Sequence, residues 1–144
     1  MNLQDCITFA TEHPICFLAT MDGTQPRVRT FLLWYADPTG FYFIGLSPKA
    51  VQRQLKANPR VEVCFYNNPA ELPNARQLRV SGAVEFVADA DIIAKASNDR
   101  AWLEPIVGVP VGPIVEVFRI ASGEAHFWTI PDGLKEPQLE RIRF

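Results

Sequence analysis

A chain of 144 residues, 48% hydrophobic and 21% charged, has the composition of a single folded domain with a real core, not of a disordered or repetitive segment. Sixteen acidic against fourteen basic side chains give a formal net charge of −2, which argues against a general nucleic-acid binder. No apolar run reaches membrane-spanning length and no basic-then-apolar leader opens the chain, so the expected address is the cytoplasm.

Residues 2–12 suit a short amphipathic helix, with Leu3, Ile7 and Ala10 on one side, ended by His13-Pro14. Ile15 to Thr20 reads as a buried strand, and Met21 to Pro26 as a turn carrying the Asp-Gly hairpin signal. Strands are predicted at 27–35 and 41–45 around the turn Asp37-Pro38-Thr39-Gly40. Ser47-Pro48 then reads as an N-cap with proline at the first position of a helix over about 48–57, stopped by Asn58-Pro59.

Arg60 to Asn67 alternates, with Val61, Val63 and Phe65 on one face. A loop over 67–75 leads to a long strand, Arg76 to Val87, in which Gly82 suggests a bulge or a close backbone approach. Asp89 to about Leu103 reads as a helix, and 104–113 as a Gly/Pro-rich apolar segment lying under a ligand or against a second subunit. Ile114 to Ala121 and Glu124 to Ile130 are predicted as a final pair of strands. Residues 131–144 read as a charged tail with Leu139, Ile142 and Phe144 as anchors. Closely spaced strands of this kind are typical of a barrel.

The stretch from Arg27 to Lys49 carries the functional signal. Alternation puts Arg27, Arg29, Phe31 and Leu33 on one face, and Val28, Thr30, Leu32 and Trp34 on the other. Guanidiniums on a face that becomes apolar need a partner. That partner is either a bound anion or a surface carboxylate such as Glu62 or Glu85. A helix N-terminus with a hydroxyl and a first-turn lysine can hold a phosphate, although Ser-Pro also reads simply as a cap.

Other signatures are missing: no GxGxxG after a strand, no Walker loop, no nucleophile elbow and no zinc-protease pair. Cys6, Cys16 and Cys64 are odd in number and far apart, and His13 and His126 are isolated, so neither a disulfide framework nor a metal site is expected. No residue stands out as a catalytic acid or base.

Taken together, HPICFLAT (13–20), QPRVRT (25–30), SPKAVQRQLKANPRVEVCF (47–65), RQLRVSGAVEF (76–86) and EAHFW (124–128) resemble the pyridoxamine 5′-phosphate oxidase-like, flavin-binding split-barrel family over nearly the whole chain. The resemblance implies a mainly β fold, a six-stranded antiparallel split barrel with flanking helices. It implies a homodimer with flavin mononucleotide (FMN) in clefts at the subunit interface. Arg29 matches the strand arginine beside the flavin, with Arg27 just before it. Thr30, Phe31 and Leu32 match strand residues lining the cofactor, Ser47 and Lys49 the phosphate segment, and Gln77 the glutamine of the family's RQ pattern.

Departures from the pattern bear on substrate. Authentic oxidases of the family carry a lysine five residues after the strand arginine, where this chain has Trp34, and an arginine before the phosphate-site lysine, where it has Pro48. Their C-terminal Trp- and Arg-containing segment has no counterpart in 131–144. The resemblance thus implies an FMN-dependent oxidoreductase acting on a small organic molecule, flat or aromatic, other than pyridoxamine 5′-phosphate. The alternatives are a non-catalytic flavin-binding or storage protein, or a split barrel using a deazaflavin or haem.

Overall fold

The computed structural model describes residues Met1–Phe144. Helix α1, Leu3–Glu12, starts with a reciprocal cap: the Asn2 side chain accepts from the Asp5 N–H at 3.1 Å, and the Asp5 carboxylate accepts from the Asn2 N–H at 2.7 Å. Its buried side, Cys6, Phe9 and Ala10, joins the main core.

Six strands close on themselves. They are β1 (Ile15–Asp22), β2 (Gln25–Asp37), β3 (Gly40–Leu46), β4 (Arg60–Tyr66), β5 (Arg76–Val87) and β6 (Val115–Thr129). The order is β3-β2-β1-β4-β5-β6, all antiparallel, and β3 also pairs with β6 to complete the barrel. A two-residue strand β7, Ile142–Arg143, adds to the edge of β6. The inside is filled by Leu18, Phe41, Phe43, Val63, Phe65, Leu78, Val80, Phe118 and Ile120. Strand β3 is buried on both faces, because Tyr42 and Ile44 pack outward into a second cluster with Ala96, Val111, Val115 and Val117. This explains why β3 reads as an unbroken apolar run.

Two predicted strands prove to be one. Residues 114–121 and 124–130 form the continuous strand β6, not a pair joined by a turn. Ser122-Gly123 does not reverse the chain. Instead the Gly123 backbone lies so close to the Ser81 carbonyl that no Cβ could stand there. Beyond that point β3 gives way to the C-terminus as the neighbour of β6: Gly123 N–H donates to the Phe144 carbonyl at 3.0 Å. Of the expected anchors, Ile142 is buried, and the Phe144 ring meets Phe41 edge-on at 5.5 Å. Leu139 lines a surface groove.

Two helix boundaries also differ from expectation. Helix α2 is Ala50–Ala57, with Lys49 as the N-cap residue in extended conformation; Ser47 and Pro48 form the turn before it. The Ser47 N–H donates across to the Ile114 carbonyl at 2.8 Å, which holds this residue in the strand-end geometry and out of a capping position. Helix α3 is Ala90–Asp99, capped by Asp89, and it ends at Arg100 rather than running on to Leu103. After Arg100 the chain makes a tight helical turn, Ala101–Leu103, and a four-residue helix α4, Glu104–Val107. The break lets Leu103 pack against the Tyr42–Ile44 cluster. No helix is long and apolar enough to cross a membrane.

Candidate functional site

The cleft of interest lies between β2, the end of β3, the start of α2 and the turn after α3. Its volume is about 460 Å³, inside the roughly 300–1,000 Å³ common for small-molecule sites. Its apolar wall includes Phe31, Leu32, Ile44, Leu46 and Leu103. Its charged groups are Arg29, Lys49 and Arg100, with no carboxylate among the lining side chains. In a chain of net charge −2 this is a local excess of positive charge.

Arg29 is fixed from inside the barrel. Its Nη1 donates to the Leu18 carbonyl at 3.1 Å and to Thr20 Oγ1 at 2.6 Å, and its Nη2 donates to Gln54 Oε1 at 2.6 Å. The Thr20 hydroxyl also donates to Gln54 Oε1, at 2.7 Å. Every acceptor is neutral. Arg27 does pair with a surface carboxylate, Asp22, at 3.5 Å, whereas Arg29 pairs with none; Glu85, one of those expected, is held by Arg119 at 3.3 Å. Burial, and then the neighbouring Arg27 charge, push the Arg29 pKa down. The side chain is therefore a preoriented cation whose charge nothing in the chain cancels, with donor capacity left over.

This arrangement makes Arg29 part of the fold as well. Arg29→Ala is expected to lower the unfolding free energy by about 1–3 kcal/mol, because Thr20 and Gln54 are buried and lose a charged donor. Arg29→Lys recovers little of it, since an ammonium lacks the guanidinium fork. Urea denaturation reads the effect, and an unchanged midpoint would contradict it.

Gly45 also lines the cleft, and a Cβ there would run into the end of the buried Gln52 side chain, whose Nε2 donates to Glu116 Oε1 at 3.2 Å and whose Oε1 has no partner.

Five of the eight residues singled out from sequence line the cleft: Arg29, Thr30, Phe31, Leu32 and Lys49. Arg27, Ser47 and Gln77 do not. Gln77 lies on the outer face of β5, in a separate hollow with Phe17, Tyr66 and Trp128. Trp34 also stays outside. Its indole N–H donates to Asp99 Oδ2 at 2.9 Å, and its ring packs on Tyr35. Sequence reasoning missed Arg100 and Trp102. The apolar segment 104–113 drew attention instead, yet it is the turn just before it that reaches the cleft.

The remaining titratable oddities lie elsewhere. Burial pushes the Cys6 thiol up to about 11 and the Cys16 thiol up to about 12, as expected of inert core thiols. His126 is buried beside Arg141 and Arg79, and burial is the main cause of its lowered pKa.

A family profile described as pyridoxamine 5′-phosphate oxidase matches residues 4–129. The pyridoxine/pyridoxamine 5′-phosphate oxidase of Alkalilimnicola ehrlichii is 37% identical over 135 residues, which cover 88% of this chain and 65% of that relative. The chain thus spans less than two thirds of that relative's length. Among solved structures, a NimC/NimA family protein from Clostridium acetobutylicum matches with a TM-score of 0.75 at 22% identity, over 99% of this chain and 92% of that one. A FAD-binding protein from Mesorhizobium loti matches with a TM-score of 0.65 at 22% identity, over 88% and 94%. These structures share the closed barrel and its flanking helices, and the profile covers most of the chain: the protein belongs to the pyridoxamine 5′-phosphate oxidase family.

Proposed function

We propose that the cleft binds FMN and that the protein is a dimeric FMN-dependent oxidoreductase acting on a small organic molecule. The observation that carries this reading is the lining itself: the cations Arg29, Lys49 and Arg100, an apolar wall, and no carboxylate. Arg29 and Lys49 suit a phosphate through charge-assisted bonds, aided by the unpaired N–H groups at the start of α2. Phe31, Leu32, Ile44 and Leu46 suit a planar ring system. The cofactor, when bound, supplies electron or hydride transfer; the chain's part is to hold and orient it and to exclude water. Family membership supports a flavin, and a structural neighbour is named as FAD-binding. Haem is less well served, because the lining holds no histidine, cysteine, methionine or tyrosine to ligate iron.

The dimer rests on the outer face of β1 and β2. Ile15 pairs with Leu32 and Ala19 with Val28 across the ladder, with Phe17 between them. Ile15 and Val28 are 64% and 69% exposed, so the stripe is an uncovered apolar patch beside the cleft. An isologous contact there covers it twice. Pyridoxamine 5′-phosphate is a poor candidate substrate, because the position of the oxidases' lysine is held by Trp34, which is turned to Asp99.

The experiment is an absorption spectrum of the purified protein with added FMN, mass analysis of what acid releases, and light scattering. The expected results are flavin bands, a released compound with the mass of FMN, and a particle of twice the 16.2 kDa chain mass. No uptake of FMN would overturn the cofactor reading, and a monomer at micromolar concentration would overturn the dimer.

A further inference from the structure

We propose that Thr20 and Gln54 are positioning residues for phosphate recognition: together they leave Arg29 one free two-pronged edge and its full positive charge. This rests on the reading that the cleft binds FMN.

A guanidinium has five N–H donors in a planar fork. Three of those on Arg29 are used inside the chain. Both Nη1 hydrogens are taken, one by the Leu18 carbonyl at 3.1 Å and one by Thr20 Oγ1 at 2.6 Å. Nη2 gives one hydrogen to Gln54 Oε1 at 2.6 Å. Thr20 Oγ1 and Gln54 Oε1 are themselves 2.7 Å apart, so they sit side by side across the Nη1–Nη2 end of the fork. The donors left over are Nε–H and the second Nη2–H, which share the side edge. Two parallel donors on one edge match two oxygens of a phosphate. Arg29 lines the cleft, and this edge is what it has to offer a ligand there.

Thr20 and Gln54 act as a unit. The Thr20 hydroxyl accepts from Arg29 and gives its own hydrogen to Gln54. The second bond also fixes the amide: with Nε2 in place of Oε1, Arg29 and Thr20 would each face a donor. Thr20 and Gln54 are 2% and 4% exposed, so water does not replace either contact. Gln54 stands on α2, and Lys49 is the N-cap residue of the same helix. The Gln54–Arg29 bond therefore ties the strand cation to the element that carries the second one.

Charge matters as much as direction. A carboxylate in place of the Gln54 amide would meet the same two donors and cancel the Arg29 charge. The amide orients the guanidinium without neutralising it. Other arginines of the barrel wall are matched differently: Arg27 with Asp22, Arg79 with Glu136 and Arg119 with Glu85. Arg29 has only neutral acceptors.

The test is the affinity of FMN and of riboflavin, read by flavin fluorescence, together with thermal melts. The proteins are the native chain, Gln54→Glu, Thr20→Val and Thr20→Ser. The native protein should prefer FMN. Gln54→Glu keeps the shape and both accepted hydrogen bonds, so its melting temperature should not fall. Its preference for FMN over riboflavin should nevertheless drop roughly tenfold, the worth of a charge-assisted contact. Thr20→Val removes an acceptor from Arg29 and the donor that fixes the amide, and should lower both melting temperature and preference. Thr20→Ser, which keeps the hydroxyl, should restore the preference. If Thr20→Val does not fold, Gln54→Glu and Thr20→Ser decide. The inference is overturned if Gln54→Glu keeps the native preference or weakens both flavins alike, if a folded Thr20→Val keeps it, or if Thr20→Ser loses it. In those cases the native preference still stands and the cofactor reading with it. A native protein that binds FMN no better than riboflavin would overturn the phosphate reading, and this inference with it.

Discussion

Phe118→Ala is expected to lower the unfolding free energy by about 3–5 kcal/mol, the range for removing a large buried aromatic side chain. Phe118 is fully buried on β6 at the point where that strand pairs with both β3 and β5. Its ring stacks on Phe43 at 5.4 Å and meets Phe31 at 5.7 Å. Phe31 in turn lines the cleft, so the cavity left by alanine lies directly behind a wall of the site. Chemical denaturation reads the stability loss. Phe118→Leu, which refills much of the volume, should recover most of it. A loss under about 1 kcal/mol for the alanine variant would mean that the barrel interior is not packed as described.

The second large effect is at Gly123. An alanine Cβ there would overlap the Ser81 carbonyl oxygen, with Gly82 Cα only 3.3 Å away. These are backbone atoms held in the β5–β6 ladder, so no side chain can swing aside. Gly123→Ala should therefore cost about 3 kcal/mol, the upper part of the overpacking range. Ser122→Ala, at an exposed neighbouring position, should be close to neutral. Thermal melts of the two variants give the comparison. Equal melting temperatures would contradict the close approach that makes β6 one strand.

The same glycine shows why part of the fold was hidden in the sequence. Alternating apolar positions located β4 well, because it has one face in the core and one outside; β1, read as a buried strand, in fact buries alternate residues over its first half. A Ser-Gly pair between two apolar runs has the local chemistry of a turn, and only the opposing Ser81 carbonyl turns it into a tight crossing. Ser47-Pro48 misled for a similar reason. The pair has the composition of a helix start, but a long-range bond from Ser47 to Ile114 decides its geometry.

The candidate site was legible where it is local. Arg29 to Leu32 and Lys49 come from one hairpin and the helix after it, and the structure brings them to one cleft. Arg100 and Trp102 come from a distant turn with no strand or motif to mark them. Their place depends on the Trp34–Asp99 bond and on where α3 stops, both tertiary facts. Gln77 was matched from the resemblance alone, and in the fold it lies in a separate hollow with Phe17, Tyr66 and Trp128.

The central claim is that the Arg29–Lys49 end of the cleft recognises the phosphate of FMN. The most direct measurement is the affinity of FMN and of riboflavin, which lacks the phosphate, for the native protein and for Lys49→Ala. The native protein should prefer FMN. The substitution should cost FMN about 1–3 kcal/mol through the lost charge-assisted contact and leave riboflavin almost unchanged. Equal weakening of both ligands, or no weakening of either, would contradict it.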